Sequence, residues 1–401
     1  MIPPARGRRR QAAARLGAAN ASGAVLNAGK FVLLPALLAA HELDVLAVGL
    51  LIAVTLSQSV GEPLATHTVI ERSDVRARRL MSGLACVLFG SMAILPEAAA
   101  AILAPGLDLG GGDRLSIRLF ALTGLALVWL WMLAGERQRT TDYSGLGVIA
   151  LAPNAALIAG TLTGSPTGIA AAMLGGIIAA GAILSLRGAR ATVDAPAATP
   201  SRPRPRLTIV ELVVLSLATQ LNLILLRVAA GDLPEGSIGA LYVAVGVVTL
   251  PIITVAGAAA AVSLPHWRAE APSRPLRECV YVAALASGAA AAVLSGLALL
   301  DTSGDFRALF DPAVRDGLRA ALPVLVLGTP IYAAAWFLRT LVIARGHARA
   351  LAAAAAGGSL AVPAASLVSD TIEGISVGYV LSPIPWLVVA IGVALRTRRA
   401  A

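Results

Sequence analysis

The chain has 401 residues, a mean hydropathy of +0.81, 57% hydrophobic and only 13% charged residues, and a formal charge of +10. Soluble domains carry about twice that share of charge, and the apolar residues here fall in long runs rather than at helical or strand spacing. A soluble globular enzyme, a disordered chain and a disulfide scaffold are excluded; the chain reads as an integral membrane protein.

A helix crossing a bilayer needs about 20 mostly apolar residues. After a basic tail (residues 1–20), runs of that kind are predicted at 22–40, 44–66, 80–104, 117–134, 144–163, 168–186, 207–230, 237–264, 279–300, 318–343, 351–369 and 374–395. Only helices and closed barrels satisfy their backbone in lipid, and long runs without strict alternation select helices. The expected fold is therefore all-α, a polytopic membrane protein of about twelve transmembrane helices. No cleavage site follows the first run, so it is read as a retained span rather than a signal peptide.

Between the sixth and seventh runs lies the longest polar interruption, 187–206, dense in proline and arginine from Pro196 to Arg206. That composition makes an extended, solvated linker. It divides the chain into an N-terminal six-helix lobe (21–186) and a C-terminal six-helix lobe (207–395), with a second basic tail at 396–401. The triplet Ala47-Val48-Gly49 in the second span is echoed by Ala244-Val245-Gly246 in the eighth. Prolines at 35, 63, 153, 251, 323, 330 and 363 are expected to kink their helices.

With an even number of spans the two tails share one side, and that side collects 24 of the 32 basic residues. The opposite loops are acidic or neutral: His41-Glu42-Leu43-Asp44, Asp232 with Glu235, Asp301 with Asp305, and Asp370 with Glu373. Basic loops stay cytoplasmic, so both termini are expected inside, in a bacterial cytoplasmic membrane. The positive charge is topological, with some attraction to anionic lipid headgroups, and does not point to nucleic acid.

Charged groups inside the spans are few. Lys30, the only lysine, lies midway along the first span. A cation at that depth faces a wet cavity or a partner, or else snorkels to an interface; in the first case it binds an anion. Asn27 lies nearly one turn earlier on a similar face. Glu62 sits beside Pro63, with Gln58 one turn before it, and either pairs with Lys30 or lies near the cytoplasmic end of its span. Arg227, beyond Gln220 and Asn222, either binds a headgroup or snorkels. Arg339 is close enough to the inside to snorkel, Arg118 is interfacial, and Glu97 follows Pro96 within the third span. Gly110-Gly111-Gly112 reads as a flexible outward turn.

The four histidines lie in loops or at span ends without ligand spacing, and Cys86 and Cys279 lack histidine neighbours, so no metal site is expected. There is no nucleophile motif and no phosphate-cradling glycine loop. An enzyme and a cofactor are not expected.

Several stretches together resemble the lipid II flippase family (MviN/MurJ-like) of the multidrug/oligosaccharidyl-lipid/polysaccharide exporter superfamily. Leu233-Pro234-Glu235-Gly236-Ser237 through Leu241-Tyr242, then Leu250-Pro251 and Ser263-Leu264-Pro265, are similar to that family's eighth helix. Gly328-Thr329-Pro330 with Ala344 through Arg349 resembles its tenth helix and following loop. Ala152-Pro153-Asn154 with Gly168 through Gly176 is similar to the fifth and sixth. Asp44 stands where the family has an Asp, and Lys30 near the Arg of its first helix. The resemblance implies transport of a polyprenyl-pyrophosphate-linked glycan by alternating access, with Lys30, Asn27, Asp44, Glu62 and Arg227 as substrate-binding candidates. The implied partners are the lipid-linked glycan, membrane lipids and cell-wall synthesis proteins. Two departures stand out: the family's central arginine of the eighth helix falls on Gly246, and twelve helices stand in place of fourteen. A twelve-helix drug exporter and a non-transporting scaffold for cell-wall assembly are the alternatives.

Overall fold

The computed structural model describes residues 22–23, 25–26, 28–31, 33–70, 75–139, 144–186, 208–257, 259–260, 263, 267, 274–301 and 310–400. Among the described residues every regular element is a helix. Within the first predicted span lies the short apolar helix α1 (Ala28–Leu37). Helices α2 (Ala40–Leu50) and α3 (Ser57–Ile70) are joined by a π-helical turn at Leu51–Leu56 into the second. The third is broken into α4 (Val75–Ile94) and α5 (Pro96–Leu103) by a bend of 99°. Next come α6 (Gly111–Arg139), α7 (Ser144–Thr161), α8 (Pro166–Leu186), α9 (Ile209–Ala230) and α10 (Ser237–Pro251), the last extended by a second π-helical turn at Ile252–Gly257. The remaining spans are α11 (Pro275–Asp301), α12 (Pro312–Ala344), α13 (Ala348–Ser359) with α14 (Ala361–Ser366), and α15 (Ile372–Leu381) with α16 (Ile384–Ala400). Among the described residues ten of these are long and apolar enough to cross a bilayer, the bent pair makes an eleventh, and α1 is a shorter apolar helix. Among the described residues α1 and five candidate spans precede the 187–206 segment and six follow it; the segment itself lies outside the described residues.

Three boundaries differ from the expectation, each for a local reason. The break between the first two spans falls at Leu38-Ala39 rather than on the charged tetrapeptide. Glu42 accepts from the Ala39 N–H at 3.1 Å, and an acid in the first turn suits the positive helix end. Likewise Asp113 accepts from the Gly110 N–H at 2.9 Å, which draws Gly111 and Gly112 into the first turn of α6 instead of a flexible loop. The sharpest break in the bundle falls at Pro96, which was not among the prolines expected to kink. Leu95 before it stands at φ −119°, ψ 66°, outside the helical region that a following proline ring disfavours. Pro63, Pro153, Pro323 and Pro330 are absorbed inside continuous helices.

Burial separates central from peripheral spans. The apolar window of the second span is 83% buried, whereas that of α11 is only 17% buried and presents its side chains to the lipid. Glycines set the close approaches. In the echoed triplets, Gly49 receives the ring of Phe120 and Gly246 the ring of Phe31, each in the space a Cβ would occupy. Without a hydrophobic force between helices in lipid, such backbone-close seats are what hold them together. The seam between the first and last six spans is therefore laid along α2 and α10: Leu43 packs on Gly239, and Phe31 from α1 packs on Gly246.

Candidate functional site

Halfway along this seam the two halves meet in a group of aromatic and cationic side chains. Tyr242 and Gly246 lie one turn apart on α10 and so share a face. The ring of Phe31 rests on Gly246 and meets that of Tyr242 at 5.6 Å with an interplanar angle of 56°. Lys30, the next residue on α1, donates from Nζ to Asn154 Oδ1 of α7 at 3.3 Å. Its ammonium lies 4.9 Å from the Phe31 ring centre and 5.9 Å from that of Tyr242. From α9, the Arg227 guanidinium also lies 5.9 Å from the Tyr242 ring. Arg227 is 4% exposed; its Nη1 donates to the Leu223 carbonyl at 2.9 Å, and its Nε is buried with no hydrogen-bond partner among the described residues. Two cations from opposite halves of the bundle thus share one aromatic ring, each with a single hydrogen bond to the protein among those described.

Arg227 is backed by a polar cluster. Asn222 donates to the hydroxyls of Tyr332 and Ser382, Tyr332 donates to the Tyr379 carbonyl at 3.0 Å, and the rings of Tyr332 and Tyr379 stack at 4.8 Å. These contacts tie α9 to α12 and α15 and fix the helix that carries the guanidinium.

At the end of the seam bearing the acidic loops, Asp44 crosses from α2 to α10. Its two carboxylate oxygens accept from the N–H groups of Gly236 at 2.8 Å and Gly239 at 2.7 Å. These are orphan donors of a helix N-terminus, where a negative charge is favoured. Gly236 holds φ at +89°, a conformation that favours glycine. Beside this latch is a cavity of about 200 Å³ lined by His41, Asp44, Asp108 and Glu235.

At the opposite, arginine-rich end, Glu62 of α3 forms an ion pair with Arg339 of α12 at 3.8 Å and accepts from Gln58 Nε2 at 3.3 Å. The guanidinium of Arg339 also lies 5.1 Å from the Trp336 ring. Arg339 is 6% exposed, which corrects the expectation that it snorkels: Glu62 and Trp336 hold it inside the bundle. Glu62 does not pair with Lys30, whose partner is Asn154. Glu97, left without a partner by the sequence, is exposed and lies 3.1 Å from Arg114.

Of the candidates chosen from sequence, Lys30 and Arg227 come together on Tyr242. Asp44 and Glu62 take opposite ends of the seam, and Asn27 lies outside the described residues. Asn154, Tyr242 and Phe31 were missed as site residues. Asn154 and Tyr242 stood in the quoted motifs, and Phe31 directly follows Lys30, but nothing local in the sequence says which residues face across the seam.

This all-helical arrangement, with the second and eighth spans packed at the seam, has the same fold as solved transporters that include members of the MOP superfamily. It superposes on the lipid II flippase MurJ in an inward closed conformation with a TM-score of 0.68 and 15% identity, over 96% of this chain and 90% of that one. It is similar as well to the MATE multidrug transporter DinF-BH in complex with R6G, with a TM-score of 0.63 and 12% identity over 96% of this chain and 95% of that one. An inward-facing multidrug resistance MATE family transporter of the MOP superfamily matches with a TM-score of 0.59 and 15% identity, 94% of each chain being covered. No family model and no curated protein matches the sequence.

Proposed function

We propose that the protein is a flippase that moves a polyprenyl-pyrophosphate-linked glycan precursor, of the lipid II kind, across the cytoplasmic membrane by alternating access. The observation that carries this reading is the pair of cations, Lys30 and Arg227, held on Tyr242 in the seam between the halves. A pyrophosphodiester carries two negative charges and is bound best by desolvated, hydrogen-bonding cations. The seam carboxylates are already engaged, Asp44 by the amides of α10 and Glu62 by Arg339. The mid-seam is thus suited to an anionic headgroup rather than a cationic drug, while the polyprenyl tail stays in lipid. In this reading the lobes 21–186 and 207–395 rock about the seam. Opening toward one side parts Asp44 from α10, and opening toward the other parts Glu62 from Arg339. The arginine-rich end and both termini face the cytoplasm, and the enzymes that make and consume the lipid are the partners.

A drug exporter is the second reading, supported by the likeness to DinF-BH, of which 95% is covered. Purified protein in proteoliposomes decides between them. Leaflet-resolved movement of a polyprenyl-pyrophosphate-linked sugar, lost in Lys30→Ala with insertion and folding retained, is the expected result. Movement of a cationic dye without movement of any lipid-linked sugar would favour the exporter.

A further inference from the structure

In the closed seam the Tyr242 ring is occupied by two cations that have little else to bind. Among the described residues Lys30 has Asn154, Arg227 has one backbone carbonyl, and the Nε of Arg227, a residue 4% exposed, has no hydrogen-bond partner. Like charges on one ring repel each other, and a phosphate oxygen makes a stronger partner for either than a π face does. An entering phosphate group would therefore draw both cations off the ring. Opening the seam also separates Phe31, which belongs to the first half, from Tyr242, which belongs to the second. Both events uncover the same surface: a flat aromatic face a few ångströms from the phosphate site, anchored in a buried helix.

Building on the flippase reading, we propose that Tyr242 is the sugar-recognising residue, and that its ring stacks against the apolar face of the pyranose attached to the pyrophosphate. The chemistry of the linkage favours this. The first sugar is bonded directly to the phosphate, so cations that hold the phosphate beside Tyr242 place that sugar, rather than the distal glycan or the lipid tail, against the ring. A pyranose presents axial C–H groups on one face, and an aromatic ring with a negative quadrupole face binds such a surface as it binds a cation. Phosphate binding and sugar binding are then coupled through one side chain. The ring stores the cations while the site is empty and reads the sugar once the cations have turned to the phosphate.

The test compares flipping of two probes in proteoliposomes: polyprenyl pyrophosphate bearing a single N-acetylhexosamine, and the same lipid without sugar. Tyr242→Leu is expected to lower the ratio of sugar-bearing to bare transport about tenfold, the worth of one stacked aromatic pair. Tyr242→Phe, which keeps the ring, should keep the wild-type ratio of the two rates. Tyr242→Trp, with a larger face, should raise the ratio of sugar-bearing to bare transport and keeps the test open if the leucine variant does not fold. Equal losses for the two probes in Tyr242→Leu, or an unchanged ratio in Tyr242→Trp, would overturn the role of the ring while leaving the flippase reading standing. Wild-type protein that moves neither probe would overturn both.

Discussion

Glu62 and Arg339 lie 3.8 Å apart across the seam at its arginine-rich end, Arg339 with 7% and Glu62 with 28% of its side chain exposed. Because Arg339 is so well buried, losing Glu62 leaves its charge poorly compensated. A double-mutant cycle with Glu62→Gln and Arg339→Gln, read by thermal unfolding in detergent, should give a coupling on the order of 1 kcal/mol. Additive effects would mean that the contact contributes nothing to holding this end shut.

At the other end, Asp44→Asn keeps the shape of the side chain but places a donor against a donor, leaving one of the two amides of Gly236 and Gly239 unpaired. A buried unpaired amide costs about 1–3 kcal/mol. The variant should be less stable by that amount, and a cysteine introduced at Glu235 should label faster. Unchanged labelling would separate Asp44 from the closure of this end.

The seat of Phe31 on Gly246 is a test of shape alone. Gly246→Ala puts a methyl group where the ring lies, and overpacking of this kind costs about 1–3 kcal/mol. Phe31→Leu in the same chain vacates the space and should recover most of the loss. A double variant no better than Gly246→Ala would show that the close approach is not what limits the helix.

Asn154 accepts from Lys30, so under the proposed flippase reading it acts as a positioning residue for that cation. Asn154→Ala should raise the half-saturating concentration of lipid-linked sugar roughly fivefold, the worth of about one neutral hydrogen bond, with the maximal rate within about twofold on the same scale. A collapse of the maximal rate with unchanged half-saturation would place Asn154 in the conformational step instead.

How much of this was legible in the sequence depends on the range of the interaction. The spans follow from hydropathy because membrane insertion is a local property of about 20 residues, and all twelve predicted runs have a helix. Lys30 could be singled out because a lone cation at mid-span is itself a local anomaly. Its partner could not, since Asn154 is 124 positions away and is one of many polar residues with no depth assigned. The burial of Arg339 was misread for the same reason: its distance from the end of its own span allows snorkelling, and only the arrival of α3 beside α12 decides against it. Both helix starts misplaced by the sequence reading, at Ala40 and Gly111, turn on a carboxylate three residues in that folds back on the backbone, a contact hydropathy does not register.

The two ends of the seam offer different targets to genetic suppression. The arginine-rich end is closed by two side chains, so a charge reversal at Glu62 has a natural second-site suppressor in the opposite reversal at Arg339. At the acidic end Asp44 accepts from two main-chain amides, those of Gly236 and Gly239, and no exchange of side chains at Gly236 or Gly239 can reverse the polarity of an amide. Suppressors of a defective Asp44 must therefore arise away from the latch itself.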